Sequence, residues 1–306
     1  MRNLISLLDI TGDEFLSILD RADQMESMWK ENNMPQSLRN RQVGLWFYGQ
    51  GFRNRIAFEI GARAMGASVS YIPGEIGVHE PIEDIGWYLG NWFSILVIRA
   101  KNHGDLVKIA ETTDATVINA RTDYNHPCEI IGDLQFIRKY RGGQGGLDGL
   151  SIVFVGEATN LCVSWFNAAV RLPISVTQVA PEGYGIDDEI LTRLNKKAAG
   201  RITVSDELEP ALKDADVIYT DCWPDAASDE EARAIEEAFL PYQINAGHLS
   251  KLHNKSVFLP CPPVTRGREV SSDSMLSRFC KNHEAKQYLL HSQNAVLEFI
   301  ATSRNP

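Results

Sequence analysis

The feature that most constrains this chain is an alternation of short apolar runs with helix-length amphipathic segments. The runs "VGLWFYG" (43–49), "ASVSYI" (67–72), "SILVI" (94–98) and "TVIN" (116–119) fill the first half. Such runs suit parallel strands covered on both faces, and the segments between them suit crossover helices. Thr11 reads as the N-cap of a first helix, "GDEFLSILDRADQMESMWK", whose Phe15, Leu16, Leu19 and Ala22 share one face. The string "RGGQGGLDG" (141–149) reads as a linker, because glycine offers little resistance to hinge motion. The alternation then restarts through "LSIVFVG", "ISVTQVA", "RITVSD", "DVIYTD" and "SVFLP", and "NHEAKQYLLHSQNAVLEFI" forms a terminal helix. The pattern predicts an α/β protein of two doubly wound parallel-sheet domains with a cleft between them.

Composition narrows the function classes. The chain has 306 residues, enough for two cores, and a net charge of −10 with no long Lys/Arg run, which argues against nucleic acid. No apolar segment approaches membrane-spanning length, and acidic residues interrupt the N-terminal apolar run by Asp9, unlike a signal peptide. Five cysteines without a CxxC pair suggest free thiols in a reducing compartment. The expectation is a cytoplasmic, acidic protein.

Open α/β sheets bind ligands at the carboxyl ends of their strands, so the strand-end loops carry the candidate chemistry. "GQGFRNRIAFE" (49–59) places Arg53 and Arg55 at a strand-to-helix turn, where backbone N–H groups and arginine forks favour an anion; solvated helix arginines are an equal alternative on this segment alone. Arg99 ends the run "SILVI", a costly place for a charge without a partner, and His103 follows four residues later. "HPCEIIGD" (126–133) follows "TVINA" and puts His126, able to donate to a polarised carbonyl, beside the acid Glu129. In the second half, Asn160 in "VGEATN" either binds substrate or caps a helix. Asp221 and Asp225 in "YTDCWPD" either hold a cationic amine or cap the next helix. Cys261 lies between prolines in "LPCPPVTRGREV", and a lone cysteine is more often inert than catalytic.

The order of these segments resembles the aspartate/ornithine carbamoyltransferase family over nearly the whole chain, nearest to its ornithine branch. "GFRNRIAFE" stands in register with the family's "STRTR" loop and following "xSFE". "HPCEIIGD" stands with "HPxQxLxD", "VGEATN" with "VGDxNN", and "CPPVTRGREV" with "HCLPAxRGxEV". The resemblance implies a carbamoyl-phosphate-binding domain over 1–140, an amino-acid-binding domain over 141–279, and a C-terminal helix over 280–306 packing back on the first. It implies a homotrimer, no metal and no organic cofactor. Its chemistry is transfer of a carbamoyl group from carbamoyl phosphate to the side-chain amine of an ornithine-like amino acid. By resemblance, Arg53, Asn54 and Arg99 hold phosphate, Arg99 and His126 polarise the carbonyl, and Glu129 and Glu75 stand on the donor side. Asn160, Asp221, Asp225 and Arg266 then serve the acceptor, with Cys261 beside the attacking amine.

The departures matter as much as the matches. Gly51 and Phe52 replace hydroxyl residues of the phosphate loop. Glu129 and Glu75 each stand where the family has glutamine, and Leu289 where it has a donor-site arginine. A carboxylate about 4 Å from a phosphate charge costs roughly 4 kcal/mol at an effective dielectric near 20. The donor pocket is therefore expected to be rearranged. Two alternatives follow: an enzyme acting on a guanidino or ureido amino acid, with the four acids as partners of a cation, or a non-catalytic amino-acid-binding homologue.

Overall fold

The computed structural model describes residues 2–49 and 51–302. The chain divides into two compact units: residues up to Phe136 together with residues from Lys286 onward, and Ile137–Ala285.

In the first unit, helix α1 (Gly12–Lys30) begins at Thr11, whose hydroxyl accepts from the Glu14 N–H while the Glu14 carboxylate accepts from the Thr11 N–H. A cap of this kind is worth about 1 kcal/mol. Strand β1 (Gln42–Phe47) leads to α2 (Phe52–Ala64), β2 (Ser68–Ile72) to α3 (Ile82–Trp92), β3 (Ile95–Arg99) to α4 (His103–Thr112), and β4 (Thr116–Arg121) to α5 (Pro127–Tyr140). The strands are parallel in the order β2-β1-β3-β4. Chain direction across the sheet therefore reverses between β1 and β3, and the loops after these strands flank the crevice where such sheets take ligands. Leu96, Ile98 and Val117 are buried between the sheet and α4, with Leu106 and Ile109 against them. β2 departs from its expected burial, because it is the edge strand, and Tyr71 remains 47% exposed.

The second unit runs β5 (Ser151–Val155), α6 (Asn160–Arg171), β6 (Ser175–Val179), α7 (Asp188–Asn195), β7 (Arg201–Ser205), α8 (Leu208–Leu212), β8 (Val217–Thr220), α9 (Asp229–Phe239), α10 (Ala246–Ser250) and β9 (Val257–Pro260). Its parallel order is β7-β6-β5-β8-β9, so a second switch point lies between β5 and β8. Asn160 through Val170 of α6 are all buried, the pattern of a helix surrounded by protein. The two sheets bear out the α/β, doubly wound expectation.

Two local expectations change. The glycine run 141–149 is wound into turns rather than left open. Gly142, Gly143, Gly145 and Gly149 take positive φ, Arg141 donates to the Gly146 carbonyl at 2.8 Å, and its guanidinium also pairs with Asp216. Glycine here serves left-handed backbone and not slack. The terminal helix is two helices, α11 (Asn282–Lys286) and α12 (Tyr288–Thr302), broken at Gln287. α12 packs on α1 and α2, so closely at Gly61 that an added Cβ would stand 1.8 Å from Asn294 Oδ1.

Candidate active site

The first unit builds its site from the ends of β1, β3 and β4. Gly51 precedes the first turn of α2 and offers no side chain to its N–H groups. Arg99, the last residue of β3, fills that space: a Cβ on Gly51 would lie 2.7 Å from Arg99 Cδ and 2.9 Å from Nη1. A guanidinium thus lies beside a helix start, where unpaired N–H groups and the helix dipole already favour an anion. Arg53, in the same first turn, stacks its guanidinium 4.8 Å from the centre of the Phe52 ring. Arg99 thus takes the space beside Gly51, and Arg53 lies over the Phe52 ring.

His126 is buried immediately before α5. Burial is the main cause that pushes its imidazole down to about 3; nearby Arg99, Arg121 and Lys286 act the same way, and Glu129 opposes them. At neutral pH the ring is uncharged. His103 opens α4 with Nδ1 3.0 Å from Thr122 Oγ1, and burial lowers its pKa as well.

Glu129 is buried and held within the protein. Lys286 Nζ donates to Oε1 at 2.7 Å, and Asn54 Nδ2 donates to Oε2 at 2.9 Å. Lys286 also donates to Asp133 at 2.8 Å, and Gln293 donates to Asn54 Oδ1 at 2.6 Å. Burial alone would raise the Glu129 pKa. The Lys286 ammonium outweighs it and holds the group ionised, with the charged form of His126 and the Asn54 amide acting in the same direction. Glu75 stands elsewhere in the unit: it is exposed and lines a cavity of about 630 Å³ with Trp46, Ile72, Tyr88 and Trp92. Leu289 is buried against Gly132 of α5, a packing role in place of an arginine's.

The second unit gathers its residues at the β5/β8 switch point. Thr159 caps α6, and Asn160, its first residue, is buried with its carbonyl accepting from Ser164 Oγ at 2.7 Å. Asp221 follows β8 and accepts from the Cys222 N–H at 2.9 Å. Cys261 follows β9, buried, with its N–H donating to the Thr220 carbonyl at 2.8 Å. The carboxyl of Glu157 is raised by burial, then by Asp221 and Asp225; Glu269 is raised chiefly by burial, with Asp221 adding to it. Burial and then Asp221 push the Cys222 thiol up to about 12. Arg266 is exposed, whereas Arg268 stacks 5.5 Å from the centre of the Trp223 ring; burial raises the Cys280 thiol, with Arg266 opposing it weakly. Among the described residues no group of His, Cys, Asp and Glu is arranged to hold a metal ion.

Residues 2–139 match the family description "Aspartate/ornithine carbamoyltransferase, carbamoyl-P binding domain", and residues 148–300 match "Aspartate/ornithine carbamoyltransferase, Asp/Orn binding domain". This chain belongs to the aspartate/ornithine carbamoyltransferase family. It is 31% identical to the ornithine carbamoyltransferase of Methanosphaera stadtmanae over 98% of this chain and 99% of that one. The ornithine carbamoyltransferase of Acinetobacter baylyi is 30% identical over 98% and 97%. Among solved structures, that of the ornithine carbamoyltransferase from Pyrococcus furiosus superposes with a TM-score of 0.90 at 28% identity, covering 97% of this chain and 96% of that chain. The anabolic enzyme of Campylobacter jejuni gives 0.90 at 25% identity, covering 99% and 100%.

Within this transferase family frame, Arg53, Asn54, Arg99, His126 and Glu129 lie in the stretch matched by the carbamoyl-P description. Asn160, Asp221, Asp225, Cys261 and Arg266 lie in that matched by the Asp/Orn description. Lys286 and Gln293 fall in the second stretch by sequence yet bond into the first unit. Sequence reasoning missed both, together with Asp133 and Glu269. Lys286 stands 157 residues from Glu129, and no local spacing signals such a pair.

Proposed function

We propose that the chain moves the carbamoyl group of carbamoyl phosphate to the side-chain amine of ornithine or a close diamino acid. The observation that carries this reading is the guanidinium of Arg99 seated at the start of α2, within a unit that also buries a neutral His126. Arg99 and Arg53 bind the phosphate end, and Arg99 with His126 donates to the carbamoyl oxygen. The uncharged amine attacks the carbonyl carbon, and negative charge grows on that oxygen, where fixed donors stabilise it. The C–N bond forms, the C–O bond to phosphate breaks, and the amine's proton leaves with phosphate or solvent. Asn160, Asp221 and Asp225 hold the α-amino-acid end of the acceptor, with Cys261 and Arg266 nearby. Holding both substrates in line supplies much of the rate.

Glu129 supports this reading over amidino chemistry, because Lys286 and Asn54 already engage its two oxygens within the protein. The reading carries with it a cytoplasmic homotrimer. Trp87, 59% exposed, and Trp92, 64% exposed, support self-association, since apolar surface of this kind marks contact sites. The test is incubation with carbamoyl phosphate and a panel of diamino acids, scoring phosphate release together with a ureido product. Turnover with ornithine or a homologue is expected, and phosphate release without any ureido product overturns the reading.

A further inference from the structure

The donor-side unit contains a cation that no strand-end loop supplies. Lys286 ends α11 with its side chain only 12% exposed, and it meets Glu129 and Asp133, whose side chains are 5% and 1% exposed. Its Nζ lies 2.7 Å from Glu129 Oε1 and 2.8 and 3.1 Å from the two Asp133 oxygens. The second Glu129 oxygen accepts from Asn54, whose own carbonyl accepts from Gln293. A chain of bonds therefore runs from α5 through the terminal segment to the first turn of α2, beside Arg53. His126 Nε2 stands 3.6 Å from Glu129 Oε2, outside hydrogen-bond reach. The charged groups acting on the imidazole are Glu129, Arg99, Arg121 and Lys286.

We propose that Lys286 is a positioning residue of the donor pocket: by occupying Glu129 it keeps the His126 imidazole available to the carbamoyl oxygen instead of letting it close onto that carboxylate. The proposal rests on the carbamoyl-transfer reading for its catalytic consequence. Its structural half stands alone. Without the ammonium, Glu129 keeps only the neutral Asn54 bond, and the nearest group able to balance its charge is His126. The ring would then take a proton and turn Nε2–H to the carboxylate. A merely structural Lys286 would leave the ring's ionisation where it is.

The test compares the wild type with Lys286→Met, Lys286→Arg and the double variant Lys286→Met/Glu129→Gln. Two quantities are measured: the His126 ionisation, by NMR of labelled imidazoles, and kcat and KM for carbamoyl phosphate between pH 6 and 9. In Lys286→Met the His126 titration is expected to move up from its wild-type position, and kcat to fall at least tenfold. Lys286→Arg is expected to keep both near wild type. The double variant removes the carboxylate's pull and is expected to restore the neutral ring, with kcat within about threefold of the wild type. An unmoved His126 titration in Lys286→Met, or a folded double variant without recovered kcat, overturns the proposal. Should Lys286→Met not fold, the double variant decides alone. A wild type without carbamoyl transfer would overturn the functional reading, while the imidazole titration would still judge Lys286.

Discussion

Glu129 and Asp133 in the first unit and Glu157 and Glu269 in the second are acids near a switch point, and their surroundings treat them oppositely. The first pair shares Lys286, and Glu129 stays ionised although it is buried. The second pair is pushed toward protonation by burial, and Asp221 adds to the effect on both. A carboxylate that already holds an internal cation is a finished piece of structure. Carboxyls raised by burial and by a neighbouring acid such as Asp221 are in the state that an arriving ammonium group relieves. Under the proposed carbamoyl transfer, this difference assigns the first cluster to the anionic donor's side and the second to the aminated acceptor's, on two parallel sheets.

The largest effect expected from this contrast is on acceptor use. Asp221→Asn should lower kcat/KM for the acceptor by 10²–10³-fold, roughly 3–4 kcal/mol, whereas Glu129→Gln should cost less than about tenfold because Lys286 keeps Asp133. Steady-state kinetics on both variants would break the comparison if the two losses were equal.

Acid should act on the units with opposite sign. The imidazole of His126 is depressed from 6.5 to about 3, so its stabilising contribution is complete above pH 6.5 and is lost as pH falls toward 3. Glu129, depressed from 4.5, loses its contribution below 4.5 in the same direction. Glu157 and Glu269 are raised, so the destabilisation they cause at neutral pH is relieved as pH falls through their folded values. The His126 contribution alone is at most about 5 kcal/mol. Hydrogen exchange followed at pH 7, 5 and 4 should show the first unit loosening well before the second, and His126→Asn should remove most of that difference. Loosening of both units together would refute the assignment.

The smallest effect sharpens the donor side. Gly51→Ser restores a hydroxyl common in the family, but its Cβ needs the space of the Arg99 side chain, 2.7 Å away. Arg99 must shift, so KM for carbamoyl phosphate should rise up to about tenfold, near 1.4 kcal/mol, with little change in melting temperature. A lower KM would mean that Arg99 has a better seat.

Much of the fold was legible because it is written locally. Strand runs such as "SILVI" and "TVIN" are apolar on both faces, and the Thr11–Glu14 cap is a pattern four residues long. The strand-end positions of Arg99, His126 and Asp221 follow from the same runs. What stayed hidden depends on contacts distant in sequence. Glu129 reads as an acid exposed to a ligand until Lys286 is seen on it, and Leu289 reads as a lost arginine until it is seen packed on α5. Glu75 shares a glutamine-to-acid change with Glu129 but stands at an exposed cavity, a distinction that spacing does not encode. The glycine run misled for a related reason: composition reports freedom in the unfolded chain, and the Arg141 contacts that wind it into turns come from folding.

The first sheet and the helix that completes it are separated by the whole of the second unit. During synthesis the four strands of that sheet emerge early, but α2 lacks its α12 neighbour and Glu129 lacks its cation. The ribosome must first make the second unit and then Lys286 and α12. A nascent or truncated chain ending before Lys286 would lack the ammonium that Glu129 and Asp133 share, and Gly61 of α2 would lack Asn294 against it. The Lys286–Glu129 pair and the packing of α12 on α1 and α2 can therefore form only after the second unit has been synthesised.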